Sequence, residues 1–236
     1  MSVRIVAIGG TVSSPSSTEM ALRAATQPAI EAGARVDVFG GEYLSDLPFY
    51  RGPGHAKDTG REMVEAVRQA DALILAAPGY HGTVSGLVKN ALDYLEDLAK
   101  DSRPYLHGRS VGLIATAYGD QASMSTLLTM RSIVHALRGW PTPMGATVRT
   151  YPGLFSPEGE CLDDRARMQL RLVGEQSAMP RLAAAAKQGA LFTRSYASTS
   201  STQPTHATLF TGLHPWRHGV TRNGMALPEH TPTLAE

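Results

Sequence analysis

From residue 3 to residue 178, short apolar runs alternate with stretches whose apolar residues recur at helical spacing. The apolar runs are VRIVAIG (3–9), RVDVFGG (35–41), DALILAA (71–77), SVGLIATAYG (110–119) and PMGATVRTY (143–151), and each reads as a strand. Between and after them, 17–34, 55–70, 84–99, 122–139 and 161–178 read as helices; in 84–99 the stripe is Leu87, Ala91, Leu92 and Leu95. Pro28 is expected to kink or interrupt the first helix, because it lacks the amide proton that the ladder needs. Five β-α units in alternation predict an α/β fold: a doubly wound, five-stranded parallel sheet with helices on both faces. No GxGxxG follows the first strand, which favours the flavodoxin-like strand order 2-1-3-4-5 over the dinucleotide-type order. The pattern changes near residue 178, so the chain divides into a domain at 1–178 and an irregular C-terminal extension at 179–236.

Composition narrows the partners. With 22 Lys and Arg against 21 Asp and Glu, the net charge of +1 gives no argument for nucleic acid or an anionic membrane. No apolar run reaches the ~18 residues that span a bilayer. The single cysteine, Cys161, forbids an internal disulfide, and a cytoplasmic setting is the simpler expectation. As a lone thiol it reads as inert.

Three loops at the carboxyl ends of strands carry the candidate chemistry. The first, GGTVSSPSST (9–18), places six hydroxyls in eight positions: Thr11, Ser13, Ser14, Ser16, Ser17 and Thr18. With the amides and dipole of the following helix they form a phosphate cradle of neutral donors. Helix capping alone would use one of them. The second loop runs from Pro78 through Gly79, Tyr80, His81 and Gly82 to Thr83. Tyr80 can stack on a planar ligand, the glycines permit close approach, and the amides of His81–Thr83 can meet ring heteroatoms. His81 is as readily a bystander, and no proton donation is assigned to it. The third loop holds Thr116, Tyr118 and Gly119. A phosphate cradle and two aromatic-glycine loops at one sheet edge suit flavin mononucleotide, with metal ligands neither needed nor visible.

Three stretches also resemble the NADPH-dependent FMN reductase family. They are IGGTVSSPSST in the first loop, DLPFY (46–50), and the motif Pro78, Tyr80, Gly86, Lys89, Asn90 and Asp93. The resemblance covers about residues 3–178. It implies FMN and NADPH, a flavodoxin-like fold, and a homodimer or homotetramer with its site near an interface. Helix 84–99 is a candidate contact surface, although the same residues can equally be core. Two departures stand out: the family's phosphate-loop arginine falls at or near Ser13, and the acidic residue often found after the proline is Gly79. Loss of the loop cation suggests FMN held loosely, as a substrate handed on to a partner such as a flavin-dependent monooxygenase. Lys89, Asn90 and Asp93 are expected to serve packing and subunit contacts, and Arg51 or Arg109 could meet the 2′-phosphate of NADPH. The readings left open are reduction of FMN itself, reduction of quinones, azo dyes or metal oxyanions by an FMN-bound enzyme, and a non-enzymatic electron carrier.

Residues 180–236 resemble a sulfatase segment around its nucleophile. The matching positions are Thr202, Pro204, Thr205, His206, Leu209, Thr211, Gly212, Arg217, His218 and Gly219. Thr202 cannot become formylglycine and no metal-binding aspartate pair precedes it, so this part is expected to be inert, and mobile after about residue 190.

Overall fold

Alternate residues of the apolar runs point to opposite faces of one sheet, and each face is covered by helices. The computed structural model of the chain describes residues 2–54 and 58–178, together with Thr221 and Met225. The expectations of mobility and inertness after 190, and the sulfatase-like positions from Thr202 to Gly219, lie outside the described residues. The chain divides into two units, Met1–Gln188 and Gly189–Glu236, and the description below concerns the first.

Its strands are β1 (Arg4–Gly9), β2 (Arg35–Phe39), β3 (Ala72–Tyr80), β4 (Thr83–Val84), β5 (Ser110–Ala117) and β6 (Trp140–Arg149). Its helices are α1 (Ser17–Glu31), α2 (Gly41–Ser45), α3 (Asp58–Gln69), α4 (Gly86–Asp93), α5 (Asp120–Ala136) and α6 (Asp164–Ser177). Five strands run parallel in the order β2-β1-β3-β5-β6, the flavodoxin-like arrangement expected from the pattern. The sixth, β4, was not expected; it turns back antiparallel on the end of β3.

Two cores follow from the alternation. Val6, Ile8, Leu73 and Leu75 face α3, α4 and α5, whereas Ile5, Ala7, Ile74 and Ala76 face α1 and α6. Pro28 does not interrupt α1, which continues to Glu31. The missing amide costs one ladder bond in the last turn, while Ala21, Leu22, Ala25 and Ala29 remain fully buried. Packing outweighs the lost bond. Gly174 of α6 lets the two helices meet, since a Cβ there would lie 2.0 Å from the Ala25 carbonyl oxygen.

Several boundaries move. The second strand stops at Phe39 because Gly40 opens α2. Helix 84–99 is two pieces, α4 and a 3-10 turn over Tyr94–Leu98. The last strand starts at Trp140, three residues early. No helix among the described residues is long and apolar enough to cross a membrane.

Candidate functional site

The first loop is built on close backbone crossings. A Cβ on Gly9 would sit 2.1 Å from the Ala76 carbonyl oxygen, so glycine is what lets the end of β1 lie against β3. A Cβ on Gly41 would sit 2.0 Å from the Thr11 oxygen, which fixes the loop against the start of α2. Glu19 reinforces that crossing by accepting from the Gly41 amide at 3.1 Å, and it pairs with Arg23 at 2.7 Å. Ser16 caps α1: its Oγ accepts from the Glu19 amide at 3.2 Å, and also from the Thr11 amide at 3.2 Å. The Thr11 hydroxyl donates to that same oxygen at 3.0 Å.

These bonds sort the six hydroxyls. Thr11 and Ser16 are tied to each other. Thr18 and Thr116, both predicted to touch a ligand, are buried at 3% and 2% exposure and share a 2.6 Å hydrogen bond between α1 and β5. Their hydroxyls position the loop from beneath. Ser13, Ser14 and Ser17 keep unspent hydroxyls among the described residues, and the Ser17 and Thr18 amides lie in the helical turn that has no intrahelical acceptor. The residues therefore fit an FMN phosphate: three neutral hydroxyls, two amides, a helix dipole, and no cationic side chain within 9–18.

The second loop is a hairpin rather than an open loop. Tyr80 pairs with Thr83 and Gly79 with Val84, leaving His81 and Gly82 as a two-residue turn with φ of 52° and 90°. Positive φ at both positions gives a type I′ turn. Pro78 is buried in β3 opposite Thr116. Gly79 is a packing glycine, since a Cβ there would meet the Thr126 hydroxyl at 2.6 Å. A side chain at this position would require Thr126 to move. Tyr80, His81, Gly82 and Thr83 are exposed, with the Tyr80 side chain about half so.

On the third loop Tyr118 is 83% exposed, the larger of the two tyrosine surfaces at this edge. Its carbonyl accepts from Arg149 Nε at 3.2 Å, so β6 braces the loop. Gly119 caps α5 with no side-chain bond, leaving the first-turn amides of that helix free of a side-chain acceptor.

Residues beyond the loops complete the frame, and one of them was misjudged. Arg109 is 1% exposed and donates to the carbonyls of Ala70, Tyr105 and Arg68 at 3.1, 2.8 and 2.7 Å. Burial, with a smaller effect of Arg103, pushes its guanidinium down to about 10. It staples the sheet's far edge and is not placed to read a 2′-phosphate. Asn90, by contrast, does the packing work expected of it. Its Oδ1 accepts from the Tyr50 amide at 2.9 Å and its Nδ2 donates to the Pro48 carbonyl at 3.1 Å, while the Tyr94 hydroxyl donates to that carbonyl at 2.8 Å. Two stretches of the resemblance, 46–50 and 86–93, are thus two halves of one clamp. Lys89 pairs with Asp93 one turn along. Sequence reasoning missed Glu19 and Arg149; the S-x-x-E spacing of Ser16 and Glu19 was the available signal for the first.

The profile of the NADPH-dependent FMN reductase family matches residues 3–151. A sulfatase profile matches residues 161–236, a range that takes in α6. An NADPH azoreductase of Bacillus sp. (strain OY1-2) is 29% identical over 134 residues, 54% of this chain and 70% of that protein. An FMN-dependent NADPH-azoreductase of Staphylococcus aureus (strain USA300) is 38% identical over 115 residues, 49% of this chain and 57% of the relative. The chain therefore spans little more than half the length of the staphylococcal protein. Among solved structures, the flavoenzyme NAD(P)H:(acceptor) oxidoreductase FerB of Paracoccus denitrificans superposes with a TM-score of 0.63 at 16% identity, covering 76% of this chain and 98% of that one. An NADH:FMN oxidoreductase in its apo form gives 0.60 at 23% identity, over 75% and 89%. These last two establish the fold. The profile match extends over more than half of the chain and contains all three loops, the hairpin and the Asn90 clamp. On that ground the chain belongs to the NADPH-dependent FMN reductase family.

Proposed function

We propose that this chain catalyses NAD(P)H-dependent reduction of FMN, with the flavin entering and leaving as a substrate. The observation that carries this reading is the set of unspent donors at the head of α1, at the sheet edge where Tyr80 and Tyr118 are exposed. FMN bound at this edge would supply the redox chemistry, as a two-electron acceptor for the nicotinamide hydride. The chain's residues bind and orient. Ser13, Ser14, Ser17 and the first amides of α1 hold the phosphate. Tyr80 and Tyr118 offer rings to a flat ligand, and the amides of His81 and Gly82 at the tip of the turn donate to its heteroatoms. Pro78, Gly79, Thr18 and Thr116 hold those groups in place from below.

Because 9–18 contains no cation, phosphate affinity rests on hydroxyls and dipole alone, which favours exchange over permanent retention. Reduced FMN so released would serve a flavin-dependent monooxygenase. A second reading, an FMN-bound reductase of azo compounds, quinones or metal oxyanions, is favoured by the azoreductase names of the relatives. Since the match is to reductases, an electron carrier is the weaker reading. Assembly as a homodimer or homotetramer is supported by Met124 and Leu128, one turn apart and half exposed on α5 next to Tyr118. A cytoplasmic site of action accords with a lone, buried cysteine.

Turnover decides between the readings. The decrease of nicotinamide absorbance is followed after adding NADPH, with and without free FMN. Oxidation that rises and saturates with added FMN is expected. Oxidation that ignores added FMN but requires an azo dye or quinone would establish the second reading, and none under either condition would contradict both.

A further inference from the structure

On the β6 side of the third loop lies a cavity of about 470 Å³. It is lined by Asp120 of α5, by Arg149 and Tyr151 at the end of β6, and by Asp163, Arg165 and Gln169 at the head of α6. Nothing described above uses it. Its volume falls in the range of small-ligand sites, roughly 300–1,000 Å³. It also shares a wall with the proposed flavin site: Arg149 Nε holds the Tyr118 carbonyl, and Asp120 follows Gly119 directly in the chain.

Its polar groups divide into spent and unspent. Asp163 is spent, accepting from the Ala166 amide at 2.7 Å through one oxygen and from the Tyr151 hydroxyl at 3.4 Å through the other. Burial first, and then the Asp163 carboxylate, raises the Tyr151 phenol, which stays a neutral donor. Arg165 is unspent. Its helix neighbours Arg167 and Arg171 pair with Asp164 and Glu175, whereas Arg165 has no hydrogen-bond or ion-pair partner among the described residues. Arg149 commits only its Nε, so both terminal nitrogens remain available. The Gln169 amide oxygen is buried without a hydrogen-bond partner, which costs stability unless something else meets it. Two uncommitted guanidiniums, a free carboxylate at Asp120 and an orphaned amide thus converge on one cavity beside the redox loop.

Guanidiniums of this kind suit a phosphate through paired N–H donors. The carboxylate and the amide suit hydroxyl and amino donors. A ligand carrying both kinds of group is a phosphorylated nucleoside. We infer that this cavity receives the adenosine end of NADPH and that Arg165, with Arg149, reads its 2′-phosphate and so sets the preference for NADPH over NADH. This rests on the pyridine-nucleotide reductase reading above. The cavity is lined by the end of β6, the strand next to β5 in the sheet, and neighbouring strands lie about 5 Å apart, so an extended dinucleotide could reach it from the third loop.

Equilibrium titration tests the inference without turnover, so its failure is separate from failure of the reductase reading. The full chain is titrated calorimetrically at low salt with adenosine 2′,5′-bisphosphate, AMP and inorganic phosphate. The bisphosphate is expected to bind at least about tenfold more tightly than AMP, and Arg165→Ala to remove most of that difference. In parallel, the ratio of KM for NADH to KM for NADPH should fall by about the same factor in Arg165→Ala. Equal binding of bisphosphate and AMP, a preference untouched by the substitution, or inorganic phosphate competing as well as the bisphosphate would each overturn the assignment. Arg165 is exposed at the first turn of α6, and an unchanged melting temperature confirms that the variant is folded.

Discussion

We propose that Ser13 sets how tightly the first loop holds an anion, because its hydroxyl is uncharged at or near the position where the family resemblance implies an arginine. A guanidinium in that place would add a charge-assisted pair to the phosphate. Ser13→Arg is therefore expected to lower the Kd for FMN by about tenfold, read from quenching of flavin fluorescence. An unchanged Kd would mean that the phosphate does not sit at this loop. The six hydroxyls of 11–18 are plain in the sequence, but which are spent is not. Thr18 finds Thr116 across 98 residues of chain, a pairing that only the parallel stacking of β1, β3 and β5 creates. Gly79 misleads for the same reason: its partner, Thr126, comes from α5. Local sequence shows the groups available; tertiary contacts decide which remain free.

Among the elements, the stretches 46–50 and 86–93 are joined by a clamp. Asn90 on α4 satisfies both the Tyr50 amide and the Pro48 carbonyl, so the loop after α2 is tied to the helix that follows the hairpin. Asn90→Ala removes both bonds and strands a partly buried amide. It should cost about 2 kcal/mol of stability, seen as an earlier denaturant midpoint, with FMN affinity changed by less than about twofold. Loss of flavin binding without loss of stability would make Asn90 a ligand contact instead. The order of elements was legible because each β-α unit has its own hydrophobic period. The hairpin was not. Its second strand has two residues, and Tyr-His-Gly-Thr lacks the Asn-Gly or Asp-Gly pair that usually announces a type I′ turn. The 3-10 continuation of α4 was hidden too, since Leu92, Leu95 and Leu98 bury equally well in either winding.

Across the molecule, one face of the sheet carries a cluster of tyrosines, Tyr43, Tyr50 and Tyr94, whose phenols are all raised chiefly by burial. Glu62 adds to the effect at Tyr43, pushed up to about 12, and Asp97 adds to it at Tyr50, where it accepts the hydroxyl at 2.8 Å. The unfolded chain releases such protons near pH 10, while the folded chain holds them further. Stability from these groups is therefore complete below pH 10 and is lost as pH climbs from 10 toward 12. Thermal melts should show that decline, and Tyr43→Phe should flatten it; an equal slope in the variant would show that Tyr43 does not cause it. Charge and composition foretold none of this, because burial is a property of the assembled sheet. The same assembly brings the three loops to one edge, and we propose that this edge transfers electrons from NADPH to FMN. The most direct measurement is anaerobic. The protein is mixed with FMN and titrated with NADPH while the flavin absorbance is recorded, against FMN and NADPH without protein. Rapid bleaching of the flavin, one equivalent for each NADPH oxidised and absent without protein, is the predicted result. Flavin that stays oxidised in the presence of protein and excess NADPH would contradict it.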